Sequence, residues 1–251
     1  MRVSLFVTCL VDQLRPEVGL ATAELLERAG CSVEFDPRQT CCGQPAFNSG
    51  YRSEARAVAR TLIEALEGAE AVVTPSGSCC AMTRRYRELF AGEPEWRARG
   101  EALAAKTFEL AAFLVDRLEV TALGARVAQR VSWHDSCHGL RELGLRAAPR
   151  ALLARVAGLE LVEAGLREEC CGFGGTFAVK HDAISVAMAD RKIDELESLG
   201  IDVVTGADLS CLMQLGGRLE RRGSRIRALH FAELIAGGLP ALAAAAEEPA
   251  R

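Results

Sequence analysis

The sequence predicts an α/β protein of two pseudo-symmetric repeats, each a small parallel sheet flanked by helices. Three observations lead there. Short β-branched runs alternate with longer amphipathic ones, the pattern of strands joined by helical crossovers. The motifs of the first 124 residues recur in the same order in the remainder. In both halves the cysteines fall just after a strand or just before a helix.

In the first half, Val3–Thr8 reads as a strand and Pro16–Ala29 as a helix closed by Gly30. Ser32–Phe35 follows as a strand, Ser53–Leu66 as a helix closed by Gly68, and Ala71–Thr74 as a third strand. The second half repeats the order with Val131–Asp135, Leu140–Val156, Leu159–Ala164, Ile184–Leu199 and Val203–Thr205, then a helix from about Leu212. Near the end of each half comes an apolar helical pattern, Phe108–Leu114 and Phe231–Ile235. Repetition is visible in the letters too. Arg-Val-Ser at 2–4 leads to Cys9, and 128 residues later Arg-Val-Ser at 130–132 leads to Cys137. Cys41-Cys42-Gly43 returns as Cys170-Cys171-Gly172, and Val72-Val73-Thr74 as Val203-Val204-Thr205. The seam falls near Gly124, giving domains 1–124 and 125–251, with a frayed tail expected from about Leu242.

Composition narrows the function. Of 251 residues 49% are hydrophobic and 25% charged, with a net charge of −4, so neither nucleic acid nor anionic lipid is indicated as a partner. The apolar stretch before Cys9 is too short for a secretory signal, Asp12 and Arg15 follow at once, and no run is long enough to span a membrane. A cytoplasmic location is expected. There, ten cysteines are unusual and point to metal rather than to disulfides.

Each half offers a lone cysteine after its first strand, a Cys-Cys-Gly and a later cysteine: Cys9, Cys41, Cys42 and Cys79, then Cys137, Cys170, Cys171 and Cys211. Adjacent Cα atoms lie about 3.8 Å apart, under the roughly 4.4 Å that a disulfide needs, so neither doublet pairs internally. The glycine frees φ and would let backbone approach an inorganic core. Structural zinc favours two short Cys-x₂₋₄-Cys knuckles, which are missing here, so soft thiolates in this pattern favour iron–sulfur clusters over zinc or structural thiols. Parallel α/β sheets bind ligands at the carboxyl ends of their strands, where these thiols fall. An ungapped alignment on Val-Val-Thr pairs Cys80 with Cys211, leaving Cys79 and Cys80 in competition. Cys31 reads as packing. His138 reads either as a proton relay or as a histidine that hydrogen-bonds a cluster sulfur or a backbone carbonyl, and His134 and Asp135 as residues that orient the loop. Gly172-x-Gly174-Gly175 lacks dinucleotide spacing, so nicotinamide and flavin are not expected. Arg84 and Arg85 read as a solvated helix face in preference to a site that steers an acidic partner or clamps a carboxylate substrate.

Four stretches carry a resemblance. They are Gln39–Gly50, Pro75–Cys79, His134–His138 and Glu168–Phe177, each built around the cysteines. In them the chain resembles the Cys-Cys-Gly family of the heterodisulfide reductase B subunit and the glycolate oxidase iron–sulfur subunit, most of all its lactate-utilisation members. The resemblance implies an iron–sulfur electron-transfer subunit of a complex oxidising L-lactate to pyruvate. Its partners would be a ferredoxin-like iron–sulfur subunit and a third lactate-utilisation subunit. It also selects Cys79 over Cys80. The wider family ends in Cys-x-x-Cys, whereas here Ser76 and Asp208 stand where the first cysteine would be. Four thiolates per repeat suit two [4Fe-4S] clusters, with Asp208 a further oxygen donor. A disulfide-reducing enzyme of the heterodisulfide reductase type and a zinc-binding scaffold are the alternatives.

Overall fold

The computed structural model describes residues 1–238, so the expected fraying from Leu242 lies outside the described residues. The α/β class with two repeats is borne out. Strands β1 (Arg2–Leu5), β2 (Ser32–Glu34), β3 (Ala71–Thr74) and β4 (Thr107–Glu109) form one parallel sheet in the order β2-β1-β3-β4. Strands β5 (Arg130–Trp133), β6 (Glu160–Leu161), β7 (Val203–Gly206) and β8 (Arg227–His230) form a second, in the order β6-β5-β7-β8. In each sheet the order reverses between the first and third strands, and a crevice opens there at the carboxyl ends. Cys9 and Cys79 leave the two strands that flank this point in the first sheet, and Cys137 and Cys211 do so in the second.

Side-chain alternation along the strands sorts residues into two layers. Val3, Leu5, Ala71 and Val73 point inward, as do Val131, Trp133 and Val203, and all seven belong to one core shared by both halves. Between the sheets lie helices Pro16–Arg28 and Phe231–Ala236, packed on each other, and their counterparts Ala147–Leu153 and Leu110–Ala112. Outward-facing residues serve one half only. Phe6 and Val72 meet Ala55, Ala59, Leu62, Ile63 and Leu66 of helix Arg52–Leu66, whose buried positions recur at the helical spacing. Val204 meets Ala189, Ile193 and Leu196 of helix Asp182–Ser198 in the same way.

Three expectations change. Phe108–Leu114 is not helical throughout, because β4 takes in Phe108 and Glu109 and runs directly into helix Leu110–Ala112, whereas Phe231–Ile235 is helical as expected, inside helix Phe231–Ala236 that follows β8. The span Leu140–Val156 is two helices, Cys137–Leu143 and Ala147–Leu153, because Gly144 takes φ 72° and ends the first. Arg84 and Arg85 are not simply solvated. They reach Glu142 of the other half, Arg85 with Nη2 at 3.1 Å from Oε1. Among the described residues no helix is long and apolar enough to cross a membrane.

Candidate metal centre

Each half aligns its four thiols in a row. In the first, Cys9 Sγ lies 3.6 Å from Cys41 Sγ, and Cys42 Sγ 3.5 Å from Cys79 Sγ. Cys137 and Cys170 make the matching contact in the second half, as do Cys171 and Cys211. Depth is matched as well. Cys42, Cys79, Cys171 and Cys211 are buried, while Cys9, Cys41, Cys137 and Cys170 are half-buried. All eight line one cleft of about 240 Å³ between the halves, and all ten cysteines are free.

Strand register decides which cysteine joins the first row. Ser4 pairs with Val72, and Ser132, 128 residues on, pairs with Val204. Val72 therefore corresponds to Val204, an offset of 132, which carries Cys79 onto Cys211. Both stand three residues past a helix N-cap, Ser76 and Asp208. Cys80 points elsewhere, its thiol donating to the Thr107 carbonyl at 3.6 Å, and burial pushes its pKa up to about 12. Cys31 packs in the shared core.

The doublet glycines do something other than expected. Gly43 (φ 85°) and Gly172 (φ 88°) occupy the left-handed region, and each packs against its own half's long helix. A Cβ would stand 3.1 Å from the Ala55 carbonyl oxygen at Gly43, and 2.5 Å from that of Ser185 at Gly172. Their freedom thus serves loop-on-helix packing. The turn also aims each glycine N–H at the first sulfur of its doublet, 3.4 Å from Cys41 and 3.4 Å from Cys170. Those two sulfurs are the preferred thiolates. Hydrogen bonds, first from Cys42 and then from Cys9, hold Cys41 down to about 3. Cys137 and Cys171 hold Cys170 down to about 2. The donating neighbours are pushed up in return. Cys211 sits at about 6, chiefly through Cys171, with a smaller pull from the nearby His134 ring.

Two unpaired rows of thiols, each presenting a ready thiolate beside a Cys-Cys-Gly turn, are accompanied by a sequence match. The cysteine-rich domain family, abbreviated CCG, matches residues 3–84 and again residues 131–216. The chain belongs to that family. It is 52% identical over 235 residues to "Lactate utilization protein A" of Geobacillus kaustophilus, covering 94% of this chain and 98% of that one. To the protein of the same name in Exiguobacterium sp. it is 52% identical over 239 residues, with the same coverage. A Helicobacter pylori protein described as hypothetical shares the fold, with a TM-score of 0.58 at 13% identity. The alignment takes in 96% of this chain and 49% of that one.

Ser76 and Asp208, each three residues before the last cysteine of its row, join the halves. Ser76 Oγ caps helix Gly77–Arg84 by accepting from Cys79 N–H, and Ser136 Oγ caps helix Cys137–Leu143 by accepting from Gly139 N–H, each at 3.2 Å. Both serines donate to the Asp208 carboxylate, which also accepts from Ser78 N–H at 2.8 Å. Asp208 is buried, and its oxygens are engaged in this join. The two helices approach closely because both are glycine at the crossing, a Cβ on Gly77 standing 3.2 Å from Gly139 Cα. His138 follows Cys137 with Nδ1 3.4 Å from its sulfur, while Nε2 faces Gln44 at 3.3 Å and Glu142 at 3.7 Å. Asp135 pairs with Arg150 and accepts from Trp133 Nε1, holding the loop before Cys137.

Two further buried residues have roles that the sequence did not assign, Glu109 and His230, the latter expected only to play an ordinary part. They are equivalent N-caps at the ends of β4 and β8, and His230 Nε2 also lies 3.1 Å from the Pro75 carbonyl oxygen of the other half. Glu109 accepts from Ala111 and Ala112 N–H through Oε2, while Oε1 has no partner. Burial outweighs those bonds and raises its pKa from 4.5 to about 8. The folded state therefore keeps a proton that the unfolded chain releases, and its contribution, full below pH 4.5, is lost as pH climbs through 8. Chemical denaturation at several pH values should show Glu109→Gln losing a few kcal/mol less than wild type across that window, by linkage. Parallel profiles would refute the assignment.

Proposed function

We propose that the chain holds two iron–sulfur clusters, one on Cys9, Cys41, Cys42 and Cys79 and one on Cys137, Cys170, Cys171 and Cys211. It would pass single electrons within a complex that oxidises L-lactate to pyruvate. What carries the reading is the meeting of two unpaired four-thiol rows in one cleft. The relatives' name supports lactate utilisation as the setting, with a ferredoxin-like subunit and a third subunit as partners in the cytoplasm. The donor set fits the group, since Cys₄ is the usual ligation of a [4Fe-4S] cluster. Such a cluster supplies a one-electron couple whose potential depends on hydrogen bonds to sulfur and on solvent exposure.

The chain's own residues govern both. Gly43 and Gly172 N–H groups point at ligand sulfurs, as does the His138 ring. Tyr86 fixes the first doublet by donating to the Cys42 carbonyl at 2.9 Å. Burial of the deep pair in each row keeps water from one side, and the half-buried pair faces the cleft through which a partner would approach.

Zinc is the second reading, favoured by one distance. A tetrahedral ion with metal–sulfur bonds of about 2.3 Å holds its sulfurs roughly 3.8 Å apart, close to the 3.5 and 3.6 Å contacts of the first row. Anaerobic purification with iron, sulfide and zinc quantified separates the two. On the order of eight iron atoms per chain with matching sulfide is expected from two Cys₄ clusters. Stoichiometric zinc with little sulfide would sink the proposal.

A further inference from the structure

We propose that His134 is a fifth donor of the second thiol row, so that the two halves bind metal through different donor sets. The inference rests on the metal reading above. His134 follows β5, 3% exposed, and neither ring nitrogen makes a hydrogen bond of ordinary geometry, although the ring lies close enough to the Cys211 thiol to lower its pKa. A buried polar atom left without a partner is costly, so an imidazole so placed calls for a partner the chain itself does not supply. It is not facing hydrocarbon alone: a ring nitrogen and the sulfurs of Cys171 and Cys211 all lie within 4.8 Å of one another. Neutral imidazole is a good ligand for iron and zinc alike, and a metal bound among these atoms would satisfy the nitrogen.

The first half supplies the comparison. Its equivalent residue is Phe6, since Phe6 N–H donates to Val73 O at 2.8 Å as His134 N–H donates to Thr205 O at 2.7 Å. Phe6 packs in one cluster with Cys42 and Cys79, the deep pair of its row. The same pocket beside the same two sulfurs thus holds an aromatic ring with no donor in one half and an imidazole in the other. His138 differs from His134 because both its nitrogens already have neighbours, Cys137 on one side and Gln44 and Glu142 on the other.

The test uses full-length protein prepared anaerobically with its iron, containing ¹⁴N- or ¹⁵N-labelled histidine, and pulsed EPR of the reduced clusters. One directly bonded histidine nitrogen is expected, on one of two clusters, changing with the isotope. His134→Phe should abolish it while keeping the fold, phenylalanine being what the equivalent site already accommodates, and His138→Leu should leave it in place. Two clusters without a bonded histidine nitrogen, or a coupling that survives in His134→Phe, would overturn the assignment and leave the metal reading standing. Protein without iron–sulfur clusters would overturn both together.

Discussion

Cys79→Ala is expected to strip one of two clusters, halving iron and visible absorption, while Cys80→Ala leaves both in place. The two residues are adjacent in helix Gly77–Arg84, where successive side chains diverge by about 100°. One turn of direction separates a sulfur 3.5 Å from Cys42 from one that donates to the Thr107 carbonyl. Binding of metal by thiolates is linked to folding, so the Cys79 variant should also melt at a lower temperature under anaerobic conditions. Removing the Cys80 thiol should cost about 1 kcal/mol, the middle of the range for single substitutions. Iron analysis and anaerobic melts of the two variants check this. Loss of metal in Cys80→Ala, with Cys79→Ala intact, would reverse the ligand assignment.

Asp208→Ala should be the most destabilising change outside the thiols, by about 3–5 kcal/mol, the range for breaking a buried, hydrogen-bonded charge network. Its carboxylate accepts from Ser76, Ser78 and Ser136, at the N-terminal ends of two helices from different halves. Helix N-termini favour negative charge, so two of them converge on one acceptor. Asp208→Asn keeps oxygen but loses charge and one acceptor, and should fall between alanine and wild type. Denaturant titration of metal-free protein isolates this effect from ligation. If alanine there costs under about 1 kcal/mol, no more than an ordinary substitution, the carboxylate is not what ties the halves together.

The sheets were legible in the sequence where strands are apolar on both faces. Val72-Val73-Thr74 and Val203-Val204-Thr205 lie in central strands buried throughout, and continuous β-branched runs signal that environment. The last strand of each sheet was not. β4 has three residues and β8 four, each passing into a helix without a turn, so Phe108 falls into helical spacing with the residues that follow and Arg227–His230 has no boundary of its own before helix Phe231–Ala236. The two thiol rows were legible because Cys-Cys-Gly repeats. The repeat alone could not choose between Cys79 and Cys80, since the connection from first to third strand is four residues longer in the second half, an offset of 132 against 128, and only the family resemblance and then the strand register pick Cys79. The role of the Cys-x-x-Cys positions was hidden, because nothing local marks Asp208 as an acceptor for a helix 130 residues away. His134 carried a signal that went unread: Phe6 stands 128 residues before it, at the same point in the repeat.

The shared core divides the chain into positions with different freedom to vary. A residue on the inner face, such as Trp133 in one core with Leu5 and Val73, must suit side chains from both halves, and a change in one asks for a change in the other. A residue on an outer face answers only to the helix that covers it. Once a chain is doubled, divergence can therefore collect on the outer faces while the inner ones stay matched. The deep sulfurs of both rows border those outer cores. Two halves that began alike could in this way come to surround their sulfurs differently, without disturbing the join that holds them at one cleft.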